Sequence, residues 1–390
     1  MKKLLRIGML LCLQLIIACV GSSLTTQAQS HPSLRLTPVV ASVERAPIPV
    51  KGSDGLYHVV YEILLINATP VNVTIAGLDI LDAKSGAQVA SLGAADLALR
   101  LVVKDHKASP GVLGAAQTGL LYLHLTFDNT SAIPTVVAHR FSGQAGNDTY
   151  QETIARTVFL APTQLLLSPP LKGSRYIAGD GCCDSTRHVR ATLAVNGIFF
   201  DAQRFAIDWE QLNEQGRIYV GDPKVPDSYI IYGKPVYAVA DGRVVAAVDG
   251  RKDSPPGSFP EGSLEDADGN HVVLELGDGS FALYAHLKPN SVKVSEGNRV
   301  RAGQVLGLVG TSGRSSEPHL HFQITDGAPL ASSGLPYLLT YFAASTRVTS
   351  TAAFDRAILD GQPIETEPIP GPATHSVEMP LDLWIIDFPR

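Results

Sequence analysis

Cysteine is scarce. Of the four in 390 residues, Cys12 and Cys19 fall in an apolar N-terminal run, which leaves only the adjacent pair Cys182 and Cys183. A disulfide framework of the kind that staples small secreted domains is excluded. The pair itself is compatible with a vicinal disulfide, two free thiols, metal ligation or a turn without chemistry. No block of basic charge occurs: 31 Lys+Arg stand against 37 Asp+Glu, a net charge of −6. The electrostatic footprint of a nucleic-acid partner is therefore missing. Only 17% of residues are charged while 45% are apolar, a balance that excludes a disordered chain or a coiled coil. Past residue 28 no apolar stretch approaches the roughly 20 residues that span a bilayer. No Gly-x-Ser-x-Gly elbow and no His-Glu-x-x-His pair is present, so neither serine hydrolysis nor the helical zinc-peptidase pattern is supported.

What is there begins with an export signal. Lys2, Lys3 and Arg6 precede an apolar run from Ile7 to Val20 that is short for a membrane span, the pattern of a secretory leader over residues 1–28. Ile16-Ile17-Ala18-Cys19 resembles a bacterial lipobox, with Cys19 as a lipid anchor, whereas Thr26-Gln27-Ala28 offers small residues for ordinary cleavage. Either exit places the protein outside the cytoplasm of a bacterial cell, in the periplasm, the envelope or the medium.

The 35 glycines and 26 prolines punctuate short runs rich in Val, Ile, Leu and Tyr, so the fold class is mainly β. Residues 34–150 read as an immunoglobulin-like β-sandwich: strands such as Tyr57 to Ile66 and Gly119 to Phe127 recur between turn signals, with no strong helical period between them. His58 and His124 lie inside these strands and read as structural. The polar stretch from Ser142 to Asp148 breaks the pattern, and Ser168-Pro169-Pro170 marks the junction with a second unit over 171–340. There, Pro235 to Ala240 and Arg243 to Val248 read as a hairpin across Asp241-Gly242, and His271 to Leu276 with Ser280 to His286 as another across Gly277-Asp278-Gly279. Residues 341–390 form a proline-containing tail whose apolar end, Leu381 to Phe388, docks on the protein body.

The chemistry lies in the second unit. In Pro318-His319-Leu320-His321-Phe322 the two histidines are two apart, so a strand puts both imidazoles on one face and Leu320 and Phe322 on the other. Such a pair lets one imidazole bind a metal while its neighbour handles protons. His286 ends a separate strand. Asp208 sits in Arg204-Phe205-Ala206-Ile207-Asp208-Trp209, opposite the apolar Phe205, Ile207 and Trp209 by alternation.

From about Asp201 to Thr325 the chain resembles the lysostaphin-type zinc metallopeptidases, also called LytM-like or duplicated hybrid motif proteins. The resemblance rests on Gly233-Lys234-Pro235-Val236-Tyr237-Ala238-Val239-Ala240-Asp241-Gly242, on Tyr284-Ala285-His286-Leu287, on Val294 to Gly307, and on Gly310-Thr311-Ser312-Gly313 leading to His319-Leu320-His321. It implies a β-sheet peptidase domain with one zinc ion per chain that cleaves peptide cross-links of bacterial peptidoglycan. Asp208 and His321 would be zinc ligands, and His286 and His319 the catalytic histidines. One position departs: the family's first ligand, a histidine four residues before the aspartate, is Arg204 here, and a guanidinium is not a zinc ligand. By strand parity Arg204 and Asp208 share a face, so Asp208 could instead serve as a salt-bridge partner. His188, upstream in Ser185-Thr186-Arg187-His188, is the candidate third ligand, with Cys182, Cys183 and Asp184 as competing donors.

Alternatives to the peptidase are a metal-free wall-binding or regulatory homologue, and a biotinyl- or lipoyl-type carrier suggested by Val294 to Gly307. The carrier lacks a lysine presented in a hairpin. His271 reads as a strand residue at the groove edge. The stretches 210–229 and 250–270 read as loops edging the groove.

Overall fold

The computed structural model describes residues 36–103, 109–327 and 331–389. The expected leader, with Cys12 and Cys19, lies outside them, as do His31 and His106. No helix among the described residues is long and apolar enough to cross a membrane.

Two antiparallel sheets form a sandwich. One contains Val39–Ser42, Tyr57–Asn67, Thr118–Phe127 and Leu101–Val103; the other contains Asp148–Val158, Val136–Ala145, Val73–Asp82 and Gln88–Gly93. Their inner faces bury Val59, Tyr61, Ile63, Leu78, Ile80 and Phe141 together. The stretch around Ser142, read as a break, is the hairpin joining two of these strands, so the boundary at residue 150 falls inside Asp148–Val158. A seven-residue helix, Ala94–Arg100, interrupts the strands.

Tyr57–Asn67 is buried on both faces, which needs a covered outer side. The cover is the second unit: Val60 belongs to the core of the larger sheet, not to that of the sandwich. Glu62 and His58 lie on the same outward face as Val60, and Tyr122 and His124 stand directly opposite Glu62 and Val60 on Thr118–Phe127.

The larger sheet runs in the order Arg299–Val300, Gly242–Val248, Asn270–Leu276, Phe281–Leu287, Leu320–Thr325, Ile207–Gln211, Gly173–Gly179, Trp384–Phe388, Phe342–Val348 and Thr366–Pro368. The expected hairpin across residues 277–279 forms. The one across Asp241-Gly242 does not: Pro235–Tyr237 pairs with Val305–Leu308, while Gly242–Val248 joins the large sheet. A tight-turn dipeptide permits a hairpin but does not decide which strand offers the better partner. The segment set apart as a tail is also woven in. Trp384–Phe388 fills the gap between Gly173–Gly179 and Phe342–Val348, and its Trp384, Ile386 and Phe388 enter the main core.

Candidate metal centre

Strand pairing builds most of the centre. Asp208 lies directly opposite His321, so the two side chains leave the same face, at the spacing of a cross-strand pair. His321 Nδ1 is 2.8 Å from Asp208 Oδ1, and its Nε2–H donates to Gln323 Oε1 at 3.1 Å. His319 shares that face, with Nε2 at 3.5 Å from Asp208 Oδ1. Its Nδ1–H donates to the Glu317 carbonyl oxygen at 2.8 Å. The alternating residues Leu320 and Phe322 are fully buried on the opposite side.

His286 reaches the same face by a break in parity. Val272 pairs with Tyr284 and Asn270 with Leu287, so Ala285 and His286 both stand against the single residue His271. This is a β-bulge, which re-aims a side chain at the point where a strand would have turned it away. The cost is a left-handed backbone at His286, φ 60°, a region that a residue bearing a Cβ rarely enters. His286 N–H donates to Asp268 O and Gly310 N–H to His286 O, both at 3.0 Å, which hold the bulge. Its Nδ1–H donates to Ser312 O at 2.8 Å, so Nε2 carries the lone pair. Burial, reinforced by His319 and His321, holds this imidazole well below the usual histidine range and keeps it neutral.

His188 arrives from the loop between Gly179 and Thr192. Its Nε2 is 3.3 Å from Asp208 Oδ2, its Nδ1 is 3.3 Å from Ala206 O, and its ring meets His321 edge-on at 5.0 Å. Donor atoms of His188, Asp208 and His321 all lie within 4.8 Å of one another, and those of His286, His319 and His321 form an adjoining group. Burial would raise the Asp208 carboxyl, but the imidazoles of His319, His188 and His321 outweigh it and hold the group well below the carboxylate range. Burial would likewise depress His188, yet the Asp208 carboxylate lifts it to about 9. A cation entering here displaces a proton.

Arg204 is not part of this cluster. The strand starts at Ile207, and a left-handed residue at Phe205, φ 64°, turns the chain between Arg204 and Asp208, so the parity expected of a straight strand fails. The guanidinium points to the sandwich, paired with Glu62 and with Asp201 at 2.8 Å. The competing donors are engaged as well: Cys182 and Cys183 are joined by a disulfide, and Asp184 is held by Arg100. His58 and His124 stack at 5.1 Å beside Cys183, with His58 Nδ1 2.8 Å from His124 Nε2. His271 donates Nδ1–H to Gly269 O at 3.0 Å.

The cluster lines a groove of about 820 Å³. Its walls include Lys224 and Tyr229 from one expected edging loop, Pro256 to Phe259 from the other, and Asp355, Ile358 and Leu359 from the helix Thr351–Asp360. That helix lies in the segment expected to be a proline-containing tail. Its signals are present: Ser350 caps it through the Ala353 N–H and Gly361 ends it in a left-handed turn, as capping rules expect.

The sequence profile of peptidase family M23 matches residues 227–331, a span that holds His286, His319 and His321. The chain carries a domain of peptidase family M23. Among curated relatives, the glycyl-glycine endopeptidase ALE-1 of Staphylococcus capitis is 38% identical over 98 residues, 25% of this chain and 23% of that protein. The DD-carboxypeptidase/endopeptidase Mpg of Neisseria meningitidis is 42% identical over 91 residues, 23% of this chain and 17% of its own length. The murein hydrolase activator EnvC of Escherichia coli is 39% identical over 92 residues, 24% and 18% of the two chains. The matches thus span less than a quarter of these relatives. Among solved structures, the catalytic domain of lysostaphin from Staphylococcus simulans is 25% identical, covering 39% of this chain and 80% of that one, with a TM-score of 0.22. His188 and Asp208 lie before the matched M23 span.

Proposed function

We propose that this chain is a zinc-dependent endopeptidase of the peptide cross-links of bacterial peptidoglycan, exported from the cytoplasm by its N-terminal leader, with the unit that starts at residue 171 and takes in the helix and strands of the former tail as the catalytic unit. The observation that carries the reading is the convergence of His188, Asp208 and His321 within 4.8 Å. Two imidazoles and a carboxylate are a donor set that zinc takes with a coordination position left open for chemistry. The fit extends outward. Ala206 O faces Nδ1 of His188, and Gln323 Oε1 accepts from Nε2 of His321, so the inward nitrogens are Nε2 and Nδ1 respectively. Metal-binding histidines are oriented in this way.

Bound zinc would supply Lewis acidity toward a peptide carbonyl or a water oxygen. His286, neutral and with its Nε2 lone pair exposed to the cluster, accepts the proton of the attacking water. His319, whose Nδ1–H is fixed on Glu317 O, presents Nε2 beside Asp208. From there its imidazolium form, with a second proton on Nε2, hydrogen-bonds the oxyanion or gives that proton to the departing amine. The groove walls beyond the cluster bind the peptide on either side of the scissile bond. The observation that kept the metal-free alternative open was Arg204, and its guanidinium is turned toward Glu62.

The test is metal content and peptidoglycan cleavage of the full chain. One zinc per chain, lost together with cleavage in His321→Ala, supports the reading. A folded chain that neither binds zinc nor cleaves peptidoglycan overturns it.

A further inference from the structure

The outward face of the sandwich makes a closed set of contacts with the two segments that deliver Asp208 and His188. Glu62 and Tyr122 stand directly opposite each other on neighbouring strands. From Tyr122 the hydroxyl donates to Thr192 Oγ1 at 2.9 Å, and Thr192 Oγ1–H donates to Asp201 Oδ1 at 2.8 Å. Asp201 pairs with Arg204 at 2.8 Å, and Arg204 returns to Glu62. The ring therefore begins and ends on one cross-strand pair. It passes through Thr192, which closes the loop carrying His188, and through Arg204, which begins the turn into Asp208.

The loop itself has no regular structure to fix His188, and the contact of that ring with Ala206 O is long, 3.3 Å. Its remaining restraints come from both sides. In the second unit Gly181 N–H donates to Asp382 Oδ1 at 3.0 Å, Asp382 N–H to Cys182 O at 2.8 Å and Ala202 N–H to Ala191 O at 3.2 Å, and the sandwich adds a set of its own. Arg100, the last residue of the short helix, grips Asp184 with two hydrogen bonds of 2.8 and 2.7 Å. Arg190 donates to Leu99 O at 2.8 Å and lies over the Tyr122 ring at 5.9 Å. Cys183 rests against His58 and His124. Within the second unit, Arg187 ties the loop to Asp180 at 3.2 Å and to Asp355 at 2.6 Å.

We infer that the sandwich is a working part of the metal centre, in which Tyr122 and Arg100 are positioning residues that hold the 180–192 loop so that His188 reaches Asp208 and His321. The inference rests on the assignment of His188 as a ligand. It also gives Arg204 a purpose. A residue that would otherwise sit where a metal ligand is expected is instead the bolt between the sandwich and the strand of Asp208, while the missing ligand comes from a loop that the same sandwich face secures.

The experiment measures zinc affinity by chelator competition, and the visible spectrum of the cobalt-substituted protein, on the full chain. Tyr122→Phe deletes one hydroxyl and Arg100→Ala one guanidinium; neither touches the metal or the groove. Loss of a partner that orients a ligand weakens metal binding by about 10–100-fold. Because Tyr122 and Arg100 act through Thr192 and Asp184 and not on the His188 ring itself, the double variant is expected to lose several-fold in affinity, short of that range, with an altered cobalt spectrum, while its metal-free urea midpoint stays close to wild type. Exchanging the charges, Arg100→Asp with Asp184→Arg, should recover most of the affinity lost in Arg100→Ala. Wild-type affinity and an unchanged spectrum in Tyr122→Phe/Arg100→Ala overturn the positioning role. So does a loss of affinity that merely tracks a shifted metal-free midpoint. Failure of the underlying ligand assignment looks different: His188→Ala itself would then bind zinc as wild type does.

Discussion

Arg204 offers a quantitative test of how the two halves are joined. Its side chain is 7% exposed and lies between Glu62 and Asp201, at 3% and 4%. Arg204→Met removes one positive charge and leaves two buried carboxylates without it, the Asp201 carboxylate keeping the hydrogen bond from Thr192 Oγ1–H. Breaking a buried pair from one side costs about 3–5 kcal/mol, against a total stability of about 5–15 kcal/mol for a typical domain. Replacing Glu62 as well removes one of the stranded charges, and buried pairs exchanged for apolar groups of similar volume are often neutral. Arg204→Met/Glu62→Met should therefore regain at least ~2 kcal/mol relative to Arg204→Met alone. Urea unfolding of chelator-treated protein, followed by tryptophan fluorescence, reads this directly because Trp209 and Trp384 are both buried in the main core. A single variant within 1 kcal/mol of wild type, or a double variant no more stable than the single, would refute the reasoning.

Other consequences are open to direct measurement. His286→Ala and His319→Ala should each keep zinc content near wild type while cleavage falls by about 10²–10⁴-fold, the range for loss of a positioned acid or base; loss of zinc in either would move that residue into the ligand set. Gln323→Leu, which leaves His321 Nε2 without its acceptor, should weaken zinc binding by about 10–100-fold in a chelator competition. His139 is buried in the sandwich between Tyr61 Oη at 2.8 Å and Ala155 O at 2.7 Å, and burial lowers its pKa to about 4. It is neutral in the fold, so its contribution is complete above about pH 6.5, the unfolded value, and is lost as pH falls through 4. His139→Gln should make stability less acid-sensitive across that window by about 3 kcal/mol, measured as the urea midpoint against pH; an unchanged acid slope would contradict the assignment.

What the sequence disclosed and what it concealed divide along physical lines. Alternation inside an intact strand fixes side-chain direction, which is why His319 and His321 are found on one face with Leu320 and Phe322 in the core. Alternation fails where the backbone leaves the β region. Phe205 and His286 both have positive φ; the first defeats the expectation that Arg204 and Asp208 share a face, and the second brings His286 to the site face through a bulge that no residue pattern announces. Long-range pairing is equally invisible. Glu62 reads as one polar residue in an apolar strand, and only the structure supplies Arg204 as its reason. The apolar end of the chain was readable as docked but not as a strand completing the sheet, because a short run such as Trp384–Phe388 does not specify its partner.

The central claim is that His188 completes a zinc site with Asp208 and His321. Zinc bound per folded chain after loading and desalting, compared among wild type, His188→Ala and His271→Ala, tests it most directly. One equivalent in wild type and in His271→Ala, with loss in His188→Ala, is the predicted result. Wild-type zinc retention in His188→Ala, or a folded wild-type chain that holds none, would contradict it.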